Sequence, residues 1–177
     1  VTRLERLDAD AFRKLAADAA SVYGAAMRRS PEVVVQRRDI ISGHATYQGF
    51  VAVGAFVDAT DNPVLVGFGY GYLGASGQWW HDVVAAALGR VATRRWLREG
   101  FELAELHVLP EHQGNGLGRR MLTDVLSRTT ARHAVLSTPD VESPARTLYR
   151  SEGFEDLLCG FYFPGSSEPY AIMGADL

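Results

Sequence analysis

Apolar residues recur at two spacings along the chain, and the switches between them predict its elements. Residues 2–7 fit a short first strand. From Asp8 or Asp10, either of which can cap a start, Phe12, Leu15, Ala19, Val22 and Tyr23 share one helical face to about Arg29. Ser30-Pro31-Glu32 opens a second helix, with proline at its first position, carrying Val34, Val35, Arg38 and Ile41 toward a break at Gly49. Residues 50–58 and 64–73 are rich in β-branched and aromatic residues. With a turn at Asp61-Asn62-Pro63 between them they predict a hairpin. A helix is expected from Asp82 to about Arg98, with Val83, Ala87, Val91 and Trp96 inward. A strand at 101–109, a helix at 116–132 and a strand at 134–138 form a βαβ unit with parallel strands. A helix at 142–152, stopped by Gly153, precedes a closing hairpin of strands 154–163 and 169–175. The order predicts an α/β fold, a mixed sheet with helices on its faces.

The 177 residues suit one domain, and 47% hydrophobic with 22% charged residues excludes a disordered chain. Lys plus Arg is 18 and Asp plus Glu is 21, a net charge of −3 with no basic excess for nucleic acid. No apolar run reaches the roughly 20 residues of a membrane-spanning helix, and the first residues carry no signal-peptide core. Neither nucleic acid nor membrane is therefore expected as a partner. The single cysteine, Cys159, cannot form an internal disulfide and is read as a small buried residue. A cytoplasmic protein is the expectation.

The informative stretch runs from Val108 to Arg120, where a strand hands over to a helix. Gly114, Gly116 and Gly118 remove side chains from the turn, so successive N–H groups can face one guest. The first amides of a helix lack internal partners and its dipole favours an anion there. The turn is an anion cradle suited to phosphate or pyrophosphate. The dinucleotide fingerprint fails, because its last glycine would fall on Arg119 or Met121. The P-loop fails for want of Gly-Lys-Ser/Thr. What remains is Gln-x-x-Gly-x-Gly, from Gln113 to Gly118.

That motif, after a strand ending Val108-Leu109-Pro110, resembles the coenzyme A site of the GCN5-related N-acetyltransferases. Ala145, Leu148, Tyr149, Gly153 and Phe154 resemble the family's A-x-x-L-Y-x-x-x-G-F segment, in the right order and about 30 residues on. The element order fits over nearly the whole chain. The resemblance implies a mixed central sheet flanked by helices, with two N-terminal helices and a strand–turn–helix coenzyme A site. It implies that residues 1–177 are a single acyl-CoA-dependent N-acetyltransferase domain, with acetyl-CoA as cosubstrate and no metal. Amides of Gln113, Gly114, Asn115, Gly116, Leu117, Gly118 and Arg119 would bind the pyrophosphate. Backbone groups of His107, Val108 and Leu109 would pair with the pantetheine arm, and Val108 N–H would hold the oxyanion. Tyr149 would protonate the leaving thiolate. Where the family often has Asn, this chain has Glu142, so the helix cap there departs from the pattern.

An amine acceptor of lysine type, with pKa about 10.4, needs a base. Glu105, Glu102 and His107 lie on the motif strand. Alternation puts Glu105 and His107 on one face and Glu102 on the other, whereas the family's base often matches Glu102. His44 and His112 are assigned to the surface. Tyr23, Tyr70, Tyr72 and neighbouring aromatics are mostly core, with Trp79 or Trp80 expected to line an acceptor cleft. Arg90, Arg94, Arg95 and Arg98 read as a solvated face, and the edge of the last strand offers a route to a homodimer. The function expected is acetyl transfer to a primary amine, of a small molecule or a peptide, by direct attack in a ternary complex. The alternative on the same fold is a catalytically silent acetyl-CoA sensor or amine-sequestering protein.

Overall fold

The computed structural model describes residues 2–58 and 62–177. Asp61 of the expected turn lies outside them. In chain order the elements are β1 (Thr2–Leu7), α1 (Ala9–Lys14), α2 (Ala16–Met27), α3 (Pro31–His44), β2 (Val51–Asp58), β3 (Pro63–Leu73) and α4 (Trp79–Trp96). Then come β4 (Phe101–Val108), α5 (Leu117–Leu126), β5 (His133–Pro139), α6 (Pro144–Ser151), β6 (Glu155–Phe161) and β7 (Tyr170–Asp176). The seven strands make one mixed sheet in the order β1-β2-β3-β4-β5-β7-β6. Packing divides the chain into two compact units, and β4 runs from one into the other.

The first unit comprises Val1–Tyr72 and Ala104–Thr129. Strand β2 pairs antiparallel with β1 (Leu4↔Ala55) and with β3 (Gly54↔Phe68), so the expected hairpin is present. The core is Phe12, Ala19, Ile41, Ala52, Phe68 and Tyr70, all fully buried. Phe12 anchors it, its ring 5.3 Å from Phe50 and 5.0 Å from Tyr70. Asp8 caps α1 by accepting the Ala11 amide at 2.8 Å. The single helix expected to Arg29 is two, broken at Leu15 with ψ near 4°. No proline or glycine marks that break. Helix α3 ends at His44, before Gly49. Helix α5 buries Leu117, Met121, Leu122 and Val125, as its spacing predicts, and ends at Leu126, short of residue 132.

The second unit comprises Leu73–Leu103 and Thr130–Leu177. Strands β4 and β5 are parallel, with Phe101 opposite Ala134 and Glu102 opposite Val135. Strand β7 pairs antiparallel with β5 (Leu136↔Met173) and with β6 (Glu155↔Gly174). The last strand is therefore internal, and the dimer route through its edge is corrected: both edges carry ladder hydrogen bonds. The core gathers Val84, Trp96, Leu97, Val135 and Ile172. Helix α4 starts at Trp79, three residues before the expected cap. Gln78 precedes it, and Asp82 sits inside the first turn, accepting the Gly77 amide at 3.0 Å. Gly89 interrupts α4 with φ 76° and ψ 172°, a conformation that suits glycine. The break resets the helical face, and Val91, expected inward, is 86% exposed. Arg90, Arg94, Arg95 and Arg98 are exposed, as expected. Cys159, expected to be buried, is exposed on β6.

Candidate active site

Strand β4 ends at Val108 and a 3₁₀ turn (Pro110–His112) follows. Leu109 closes that turn. Its amide donates to Val66 O (2.8 Å) and its carbonyl accepts from His112 N (2.9 Å). Leu109 is thus committed to the turn and does not offer the strand edge expected of it. Strand alternation turns the Val108 amide the other way, away from β3. The Gln113 side chain donates to Val108 O at 2.9 Å, and its amide donates to Pro110 O at 3.3 Å. The expected amide of Gln113 is therefore turned inward, and Gln113 braces the loop instead. Asn115 Nδ2 donates to Gln113 O at 3.3 Å, a second internal brace.

The chain then passes through Gly114 (φ 78°) and Gly116 (φ 72°), left-handed positions where an L side chain is strained. A Cβ on either would meet nothing within 4 Å. Glycine is set there by backbone conformation, and the space before it is open. Gly116 is the N-cap of α5, no side chain caps that end, and no acid stands in the first turn. The amides of Leu117 and Gly118 have no helical carbonyl behind them. Leu117 points its side chain into the core, while Arg119 is exposed. Uncapped amides, open space and no competing carboxylate suit an anion.

The charged face of β4 lies in the same unit. Glu105 is 8% exposed, and both its oxygens are engaged. Oε1 accepts from Arg37 Nη1 at 3.0 Å, and Oε2 lies 2.5 Å from His107 Nε2. Alternation correctly puts the two β4 residues together. Arg37 comes from α3, donates to Tyr23 Oη at 3.2 Å and stacks 4.5 Å from that ring. The Tyr23 ring meets His107 edge-on at 5.2 Å. Burial pushes the Glu105 carboxyl up, but the His107 contact and the charges of His107 and Arg37 outweigh it and hold it below its ordinary range.

His44 is not the surface residue expected. Its Nδ1 lies 2.9 Å from Tyr70 Oη, and its ring packs 5.5 Å from Tyr47 and 5.0 Å from Tyr72. Burial lowers its pKa, Glu105 partly opposes this, and Arg37 adds to it. Arg37 and His44 were missed as site residues, and their sequence signal is faint. The contact from Arg37 to Glu105 spans 68 positions, which no periodicity reports.

The remaining candidates belong to the second unit. Glu102, 4% exposed, sits on β4 opposite Val135. Tyr149, 7% exposed, lies on α6 with its ring 5.8 Å from Phe154. Ser143, not Glu142, caps α6 by accepting the Arg146 amide at 3.2 Å. Glu142 instead pairs with Arg150 at 3.0 Å. Of the two tryptophans, Trp80 turns inward to Ser137 Oγ (3.0 Å), while Trp79 stays 59% exposed over Phe163.

Comparison with known proteins gives the family. The acetyltransferase (GNAT) domain model matches residues 59–156, more than half the chain. A GCN5-like protein acetyltransferase of Mycobacterium tuberculosis is 34% identical, the alignment covering 90% of each chain. Among solved structures, an N-acetyltransferase of Thermoplasma acidophilum in complex with coenzyme A superposes with a TM-score of 0.62 at 15% identity, covering 100% of this chain and 99% of that one. Arabidopsis thaliana NAA60 in complex with acetyl-CoA gives 0.66 at 13% identity, with the same coverage. At such identities the structures establish the shared fold. The domain match and the mycobacterial relative establish more: this chain is a member of the GNAT acetyltransferase family.

Proposed function

We propose that residues 1–177 act as one N-acetyltransferase domain, moving an acetyl group from acetyl-CoA to a primary amine by direct attack with both substrates bound. The observation that carries this is the uncapped start of α5, with open space before Gly114 and Gly116. It supports a pyrophosphate guest held by amides of the 114–119 turn. The outward Val108 amide would meet the acetyl oxygen as charge develops there. When bound, acetyl-CoA supplies an activated acetyl carbon and a thiol as leaving group. A thiol of pKa about 8.5 needs little help from an acid. Tyr149→Phe is therefore expected to slow turnover about tenfold, a modest share of the general-acid range, and to leave coenzyme affinity unchanged. The amine arrives protonated, so Glu102, Glu105 or His107 must take its proton. The name of the mycobacterial relative supports a polypeptide amine as acceptor.

The test is thiol release from acetyl-CoA against polyamines, aminoglycosides, amino acids and short peptides, beside calorimetry of coenzyme A binding. A peptide amine is expected to be the substrate. Gly116→Asp puts a side chain and a charge at the cradle, and is expected to cost about a hundredfold in coenzyme affinity, near 2.7 kcal/mol. Unchanged affinity in a folded variant would remove the cradle from the reading. Tight coenzyme binding with no thiol release from any amine would favour a silent binder.

A further inference from the structure

We propose that His107 is the group that takes the amine's proton, and that Glu105 and Arg37 are positioning residues that aim it. The inference rests on the acetyltransferase reading above. Glu105 resembles a base in sequence, but its oxygens are committed to Arg37 and His107. A carboxylate held in an ion pair accepts hydrogen bonds and donates none. The 2.5 Å contact therefore requires the proton on His107 Nε2. In the neutral imidazole, the form able to take a proton, that leaves Nδ1 as the basic nitrogen. Nδ1 makes no hydrogen bond among the described residues, and the His107 side chain keeps 13% of its surface exposed.

Each neighbour has a definite part. Arg37 occupies Oε1, so Oε2 is the oxygen that faces the imidazole. Tyr23 holds Arg37 through its hydroxyl and ring face. From β3, Phe68 packs 5.6 Å from the His107 ring and contributes no charge. His44, on α3, acts on the same carboxylate. The charged and titratable groups around His107 are thus Glu105, Arg37, Tyr23 and His44.

In the step, Nδ1 takes one of the three ammonium protons. The freed lone pair forms the C–N bond to the acetyl carbon as the C–S bond breaks. The departing sulfur keeps the bonding electrons and takes the second proton, and the amide retains the third. His107 then releases its proton to solvent. Glu105 stays ionised throughout.

Nitrogen-15 NMR of the imidazoles, in the full chain with and without coenzyme A, reads the tautomer without needing an acceptor. The expected spectrum has His107 protonated at Nε2 and bare at Nδ1, a signature lost in Glu105→Ala. A neutral His107 protonated at Nδ1 and bare at Nε2 would overturn the proposal. With the amine found by the thiol-release panel, His107→Gln is expected to lower turnover by about a hundredfold or more. Glu105→Gln keeps an acceptor for Nε2–H and is expected to lose only about tenfold, again within the range of acid–base assistance. The rising limb of its pH profile should move to lower pH, because a negative charge is gone. Arg37→Gln should move that limb to higher pH. Opposite movements are not what a purely structural role predicts. An inactive Glu105→Gln beside an active His107→Gln would assign the base to Glu105 instead. Loss of coenzyme A binding by the wild-type chain would defeat the acetyltransferase reading while leaving the tautomer result standing.

Discussion

His44 is held among Tyr47, Tyr70 and Tyr72, where burial favours its uncharged form. In the unfolded chain the same imidazole titrates near pH 6.5. Its folded pKa is depressed, so its contribution to stability is present above about pH 6.5 and is lost as pH falls through the folded value. The slope from one such group is at most about 1.4 kcal/mol per pH unit. Urea unfolding of His44→Gln between pH 5 and pH 7.5 is expected to lose that slope. An identical pH dependence in variant and wild type would show that another group carries it. At this scale the glycines were legible, since Gly114 and Gly116 announce their left-handed backbone by identity alone. The pairing of Glu105 with His107 was legible too, because alternation is local. Arg37 was not: a cation on an amphipathic helix reads as solvated unless the strand it meets is known.

Helix α6 shows how an element is fixed in place. It has eight residues, too few to stand alone in water. Arg146, 5% exposed, donates to Asp140 after β5 and to Asp156 on β6 (2.8 Å). Asp140 also accepts the Gly160 amide at 2.7 Å. One guanidinium therefore ties the helix carrying Tyr149 to the two segments beside it, and those carboxylates keep it charged. Breaking a buried ion pair costs about 3–5 kcal/mol. Asp156 is 30% exposed, so the cost here is less. Arg146→Met is expected to lose about 2 kcal/mol and lower Tm by roughly 5 °C. Arg146→Lys should recover little, since an ammonium cannot span both carboxylates as a fork does. A melt unchanged in both variants would make the network dispensable. The sequence reading found α6 but gave its cap to Glu142. The preceding Ser143-Pro144 pair carried the better signal, serine before a first-turn proline. The Leu15 break left no such mark: neither proline nor glycine stands there.

Across the whole molecule the chain crosses between its units three times, after Tyr72, Leu103 and Thr129. Neither unit is one continuous segment. A protein cut between Tyr72 and Leu73 yields a first fragment lacking β4 and α5, and is expected to show no cooperative thermal transition by circular dichroism. A sharp melt of either fragment alone would contradict that. The element order and the parallel β4–β5 pair were legible, because a crossover helix between two apolar runs permits little else. The place of β7 was not, since a hairpin reads the same from either side. Its position has a consequence for timing. Strand β7, seven residues long, separates β5 from β6, so the ladder of the second unit cannot close until residues 170–176 have been made. While a ribosome still covers those residues, β5 and β6 lack their shared neighbour and their edges are open to wrong partners. Synthesis of residues 170–176, not emergence of the glycine-rich turn, is then the moment the sheet can close. Deleting residues 170–176 would remove an internal strand of the sheet rather than trim its border.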